Sequence, residues 1–168
     1  MNRLLLNLRV QYERFRTLNA YKSGDWRNVP IEENGDPLVP VPDECKYPFY
    51  AIELKLSDEQ TVCLRKQVLR QFMYARRLVR ELGYDLIIYD GWRSVELQTK
   101  LFWYYMKLFT VDKFSLSHLF GECQTPGDVE KLFLSLPLPT QTALKEANRS
   151  YVSWPSVDPL CPSPHSTG

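Results

Sequence analysis

LRKQVLRQFMYARRLVRELGYDLIIYDGWRSVELQ, residues 64–98, carries the reading of the fold. Leu64, Val68, Phe72, Ala75, Val79 and Leu82 recur at three and four, so one stripe of a long helix would face a core. Lys66, Arg70, Arg77 and Arg80 make up much of the opposite, solvated face. Upstream, Ser57 with Gln60 three residues later reads as a capping box, which places the helix start there. Gly83 reads as the stop after Leu82. YDLIIYD, residues 84–90, then predicts a short buried strand. It ends in Asp90, turns on Gly91, and delivers Arg93 just before Ser94, the predicted N-cap of a second helix, VELQTKLFWYYMKLF.

Outward from this centre, Ala51–Leu56 alternates apolar and polar residues and predicts a half-buried strand. Residues 21–50 are loop-rich, with short extended pieces at Val29–Ile31 and Leu38–Val41, and Leu4 through Phe15 reads as an amphipathic helix. Thr125-Pro126 starts a third helix running to about Leu134, and a fourth covers residues 139–148. Beyond Tyr151 the chain is rich in proline, which either fixes an extended path toward His165 or leaves the stretch disordered.

The 168 residues have room for one domain with one sizeable core. Hydrophobic residues make up 44% and charged residues 24%, a composition that supports a packed core. A net charge of +1 gives no field favouring nucleic acid or an anionic membrane. No apolar run approaches the roughly 18 residues of a membrane span, and the opening residues do not read as a secretory signal. Cys45, Cys63, Cys123 and Cys161 show no CxxC pairing, which favours free buried thiols and a reducing, cytoplasmic compartment over two disulfides.

HExxH, GxxxxGK[ST], GxGxxG and GxSxG are all absent. A Cys123–His118 pair has nothing in the sequence to orient its histidine. Two stretches depart from their surroundings. In YDGWRS, residues 89–94, Arg93 is either a fixed cationic donor to a carboxylate or oxyanion, or a tie to Asp90 that closes the turn. In PSPHSTG, residues 162–168, His165 is either a metal ligand at the lip of a site or part of a surface tail.

Taken in order, these two stretches resemble the zinc D-alanyl-D-alanine dipeptidases, relatives of the zinc D,D-carboxypeptidases and the hedgehog signalling domain. That family carries D-G-[YW]-R-[PS] after an apolar strand and S-x-H-x-x-G-x-A-x-D later. Trp26 with VPIEENGDPLVPV and the 64–98 run resemble its preceding segments. The resemblance covers roughly residues 20 to 168. It implies an α+β, hedgehog/DD-peptidase-like fold, of which residues 1–168 form a single incomplete, helix-rich domain, with most of the antiparallel sheet expected beyond the chain end.

It further implies that His165 is a zinc ligand, that Arg93 stabilises the transition state and that Ser163 lines the substrate site. Asp90 orients the turn and Arg93 without reacting. The cofactor would be one zinc ion and the partner a small dipeptide, with no nucleic acid and no membrane. The family's aspartate ligand comes seven residues after the histidine, so it falls past Gly168; the second histidine and the catalytic glutamate come later still. The chain alone is therefore expected to be inactive. The alternatives are a non-catalytic relative acting as a binding module and a zinc D,D-carboxypeptidase acting on cell-wall peptides.

Overall fold

A computed structural model describes Tyr12, Phe15 and residues 34–156. The chain falls into two units, Met1–Glu32 and Glu33–Gly168. Tyr12 and Phe15 of the first are helical. The remainder of the predicted N-terminal helix, the Val29–Ile31 piece, Trp26 and Cys161 lie outside the described residues.

Among the described residues, the second unit is helix-rich with one small antiparallel sheet, which fits an α+β class. Strands β1 (Leu38–Pro40) and β2 (Cys63–Arg65) pair in the register Leu38↔Arg65, Val39↔Leu64 and Pro40↔Cys63. Between them lies the short α1 (Phe49–Ile52). Then come α2 (Lys66–Arg80), α3 (Val95–Tyr105), α4 (Ser117–Phe120), α5 (Pro126–Ser135) and α6 (Leu138–Asn148). A widened turn, Met106–Thr110, prolongs α3.

The larger core gathers on α3, whose Leu101, Phe102 and Trp103 are buried with Phe120, Val129, Phe133 and Leu144. The Phe102–Tyr105 aromatics are thus packing residues in part, as Phe102 meets Trp103 edge-on at 5.1 Å. Asn148 closes the end of α6 onto α3. Its Nδ2 donates to Phe102 O at 2.9 Å, and its Oδ1 accepts from Thr110 Oγ1 at 2.7 Å. A smaller cluster of Val41, Cys45, Val62 and Ile88 receives Leu69, Phe72 and Met73 of α2. Cys45, Cys63 and Cys123 are free thiols.

Local signals hold where a residue's partners are near in sequence. Thr125 and Asp128 form a reciprocal capping box at α5, and Ser94 accepts from Leu97 N at 3.1 Å at α3. Gly83 has φ 81°, and the Gly83 N→Arg80 O and Tyr84 N→Val79 O bonds close α2. This is the two-bond glycine stop, placed where expected.

Three expectations are corrected. Ala51–Leu56 is not a strand: its backbone bonds are local, with Ile52 N donating to Pro48 O and Leu56 N to Tyr50 O. Leu54 and Leu56 reach the larger core from a turn, so their alternation needs no sheet neighbour. The long helix begins at Lys66, not near Ser57. Ser57 Oγ accepts from Glu59 N only two residues on, a local turn. The first N–H groups of α2 are met from far upstream instead, Lys66 N by Pro37 O and Gln67 N by the Asp36 carboxylate at 2.9 Å. With the start moved, the inward stripe comprises the buried Arg76 and the half-buried Leu69, Phe72 and Met73, while Val68 and Leu82 are exposed.

The third correction concerns residues 84–90. They form no regular strand: among the described residues one parallel bridge, Lys46↔Ile88, joins them to a neighbour, and Ile88 is the buried member. Asp85 explains the path. Arg76, buried on α2, donates Nε to Asp85 Oδ1 at 2.7 Å and Nη2 to Oδ2 at 2.8 Å, and also reaches Glu44 O. Arg80 adds a bond at 2.9 Å. A carboxylate so held cannot turn inward with an apolar strand. These bonds keep the Asp85 carboxyl far below the usual carboxylate range.

Because that pKa is depressed, the stability it contributes is present above the unfolded value of about 3.9 and is lost as pH falls below it. Asp85→Asn should lower the urea midpoint at pH 7, and the gap to wild type should narrow below about pH 4. A gap that stays constant from pH 7 to pH 3 would show that the charge is immaterial.

Candidate functional site

The site forms where residues 89–94 cross the end of β2. Trp92 N donates to Cys63 O at 2.8 Å. A Cβ on Gly91 would lie 2.3 Å from that same carbonyl oxygen, so glycine is required by close approach of two backbones. Its φ is not in the left-handed region, so the turn reading of Gly91 is replaced by a packing one.

This contact presents Arg93 just before the α3 cap, with its side chain almost wholly buried. Arg93 Nε donates to Asp90 Oδ1 at 2.9 Å, and Nη2 pairs with Asp90 Oδ2. Nη2 also donates to Tyr50 Oη at 2.7 Å, and Nη1 donates to Gln98 Oε1 at 2.8 Å. Four of the five guanidinium N–H groups therefore have partners among the described residues. Gln98 is fully buried, and its Nε2 donates to Ser153 O at 2.7 Å.

A cleft opens over this cluster, lined by Pro48, Tyr50, Val62, Asp90, Trp92 and Arg93 among others. Burial pushes the Tyr50 phenol far up, reinforced by the Asp90 carboxylate and opposed by Arg93, so the hydroxyl stays protonated at neutral pH. Burial also pushes the Cys63 thiol up, which leaves it a poor nucleophile. The cleft thus offers a fixed cation and a neutral phenol, groups that bind or stabilise an anionic oxygen.

Arg93 and Asp90 are brought together as the sequence suggested, while Ser163 and His165 lie outside the described residues. Among the described residues, no three His, Cys, Asp or Glu side chains are grouped to hold a metal ion. His118 is exposed, with Nδ1 3.1 Å from Ser115 O. Also among the described residues, no helix is long and apolar enough to cross a membrane.

Tyr50, Gln98 and Ser153 were not singled out by sequence. Tyr50 adjoins a stretch that imitates a strand. Gln98 could have been noticed as an amide one turn below Leu101, on the face of α3 that enters the core.

No family model matches the chain, and no solved structure matches it. Over 151 residues it is 24% identical to a D-alanyl-D-alanine dipeptidase from Synechocystis sp.. The chain is similar to a dipeptidase. The match covers 83% of this chain and 53% of that relative, so the chain spans about half the relative's length.

Gly91→Ala should force the 63–65 and 90–92 backbones apart and cost about 1–3 kcal/mol, the usual range for overpacking. A urea midpoint within error of wild type would show that the two segments can separate freely.

Proposed function

We propose that the chain belongs to a zinc-dependent hydrolase of the D,D-dipeptidase type that cleaves D-alanyl-D-alanine. The observation that supports this reading most is the guanidinium of Arg93, held at the cleft by Asp90, Tyr50 and Gln98. The similarity to a curated dipeptidase adds the substrate class.

In this reading Arg93 meets the oxygen on which charge develops as the peptide carbonyl is attacked. Its planar, always-protonated fork suits that role, and Asp90 keeps the plane from rotating. The protonated Tyr50 hydroxyl, bonded to Arg93 Nη2, holds the guanidinium from its other side. Bound zinc would supply a water whose pKa falls to about 7. His165 is the proposed ligand and Ser163 the proposed substrate contact, both from the family resemblance. The other ligands and the proton-transferring carboxylate would come from outside the described residues. The 168 residues contain one of the three ligands that the resemblance implies, so they are expected to be inert alone. A cytoplasmic location would suit a free dipeptide as substrate.

The closed shell around Arg93 favours a second reading, a non-catalytic binding module, because four of its five donors already have protein partners. Hydrolysis of D-alanyl-D-alanine by the product of the complete reading frame separates the two. The dipeptidase reading expects zinc-dependent turnover, with Arg93→Ala lowering kcat by about 10²–10³ while zinc content is kept. Equal loss of zinc and activity would make Arg93 structural, and a fully zinc-loaded but inert product would leave the binding reading. Turnover by the 168 residues alone, with stoichiometric zinc, would contradict the expected inactivity.

A further inference from the structure

Asp90 and Arg93 lie three residues apart on one extended segment, so their ion pair is local and cannot by itself fix Arg93 against the core. That attachment comes from other elements. Tyr50 follows Pro48 at the start of α1, and Gln98 projects from the first turns of α3. Gln98 differs from Tyr50 in being fully buried and in using both ends of its amide. Its Oε1 accepts from Arg93 Nη1 and its Nε2 donates to Ser153 O.

Ser153 is followed by Trp154, whose ring meets Phe102 edge-on at 4.8 Å and lies 3.4 Å below Lys145 Nζ. The chain is therefore pinned at 153–154, immediately before the proline-rich stretch that contains Ser163 and His165. One amide thus joins the cationic group of the cleft to the start of that stretch.

We propose that Gln98 is a positioning residue that holds Arg93 in register with the chain at Ser153–Trp154. The inference rests on the dipeptidase reading for its use in catalysis, since Arg93 and the residues after Ser153 would then act on one substrate from two segments. It also explains why an amide occupies a wholly buried site on α3. A leucine of similar size would pack there, but it would leave a guanidinium N–H and a carbonyl without partners. Glutamate at this position separates the two bonds, because it still accepts from Arg93 but cannot donate to Ser153 O.

Side-chain and backbone NMR of the 168-residue chain tests the coupling without requiring turnover. In Gln98→Leu, the Nη protons of Arg93 should lose their slow-exchange signals, and the amides of residues 152–154 and 156 should exchange at least tenfold faster. In Gln98→Glu, the Arg93 signals should persist while the amides of 152–154 and 156 alone respond. Leu101→Ala, a core truncation on the same helix, should lower stability and leave both sets in place. Unchanged Arg93 signals in Gln98→Leu, or the same pattern from Leu101→Ala, would overturn the proposal. Should Gln98→Leu not fold, the split response of Gln98→Glu decides, and a uniform response there overturns the proposal.

Turnover by the full reading-frame product distinguishes this inference from the reading it rests on. A drop of tenfold or more in kcat for Gln98→Leu, with KM within threefold, supports both. Wild-type turnover with kcat unchanged in Gln98→Leu overturns the positioning role alone. An inert wild type that shows the expected NMR pattern overturns the dipeptidase reading and keeps the coupling.

Discussion

A guanidinium cannot lose its proton, so an arginine taken out of water must find its partners within the protein. Arg93 does so by drawing in groups from three places: Asp90 on its own segment, Tyr50 at α1 and Gln98 on α3. Much of the second unit's layout around the cleft follows from that requirement. The 89–94 segment must pass close to β2, which only glycine at 91 permits, and α3 must begin at Ser94 so that Gln98 comes within reach. Gln98 in turn extends the network to Ser153. The same arrangement recurs at Arg76, which is buried and holds Asp85 and the Glu44 carbonyl. Two buried cations thus set the paths of the segments on either side of Ile88.

What the sequence revealed was set by how far away each partner lies. The caps at Ser94 and Thr125 and the stop at Gly83 use partners within five residues, and all three were legible. The start of α2 was not, because its N–H groups are met by Pro37 and Asp36 about thirty residues upstream. Ser57 carried a plausible cap signal and spent it on a local turn. Residues 84–90 looked like a buried strand from composition alone. Their exposure reflects a single bridging neighbour and the carboxylate at Asp85, neither of which apolar periodicity can register.

The site was half legible. Arg93 and Asp90 stood out because polar groups at the end of an apolar run are unusual, and the structure joins them. Whether Arg93 ties the turn or serves a ligand was left open by spacing, and the geometry shows the tie to Asp90. Its ion pair with Asp90 is local, its bonds to Tyr50 and Gln98 anchor it to the fold, and it still lines the cleft. Gly91 was noticed for the wrong reason, as a turn residue, when its lack of a side chain lets two backbones meet.

The Arg93–Asp90 pair joins a nearly buried guanidinium to a half-buried carboxylate, and the wall of the cleft depends on it. A double-mutant cycle with Arg93→Met and Asp90→Asn, followed by urea unfolding at pH 7, measures that coupling directly. The account predicts a coupling above about 1.5 kcal/mol, in the range of close, desolvated pairs. A value below about 0.5 kcal/mol, typical of an exposed surface pair, would contradict it.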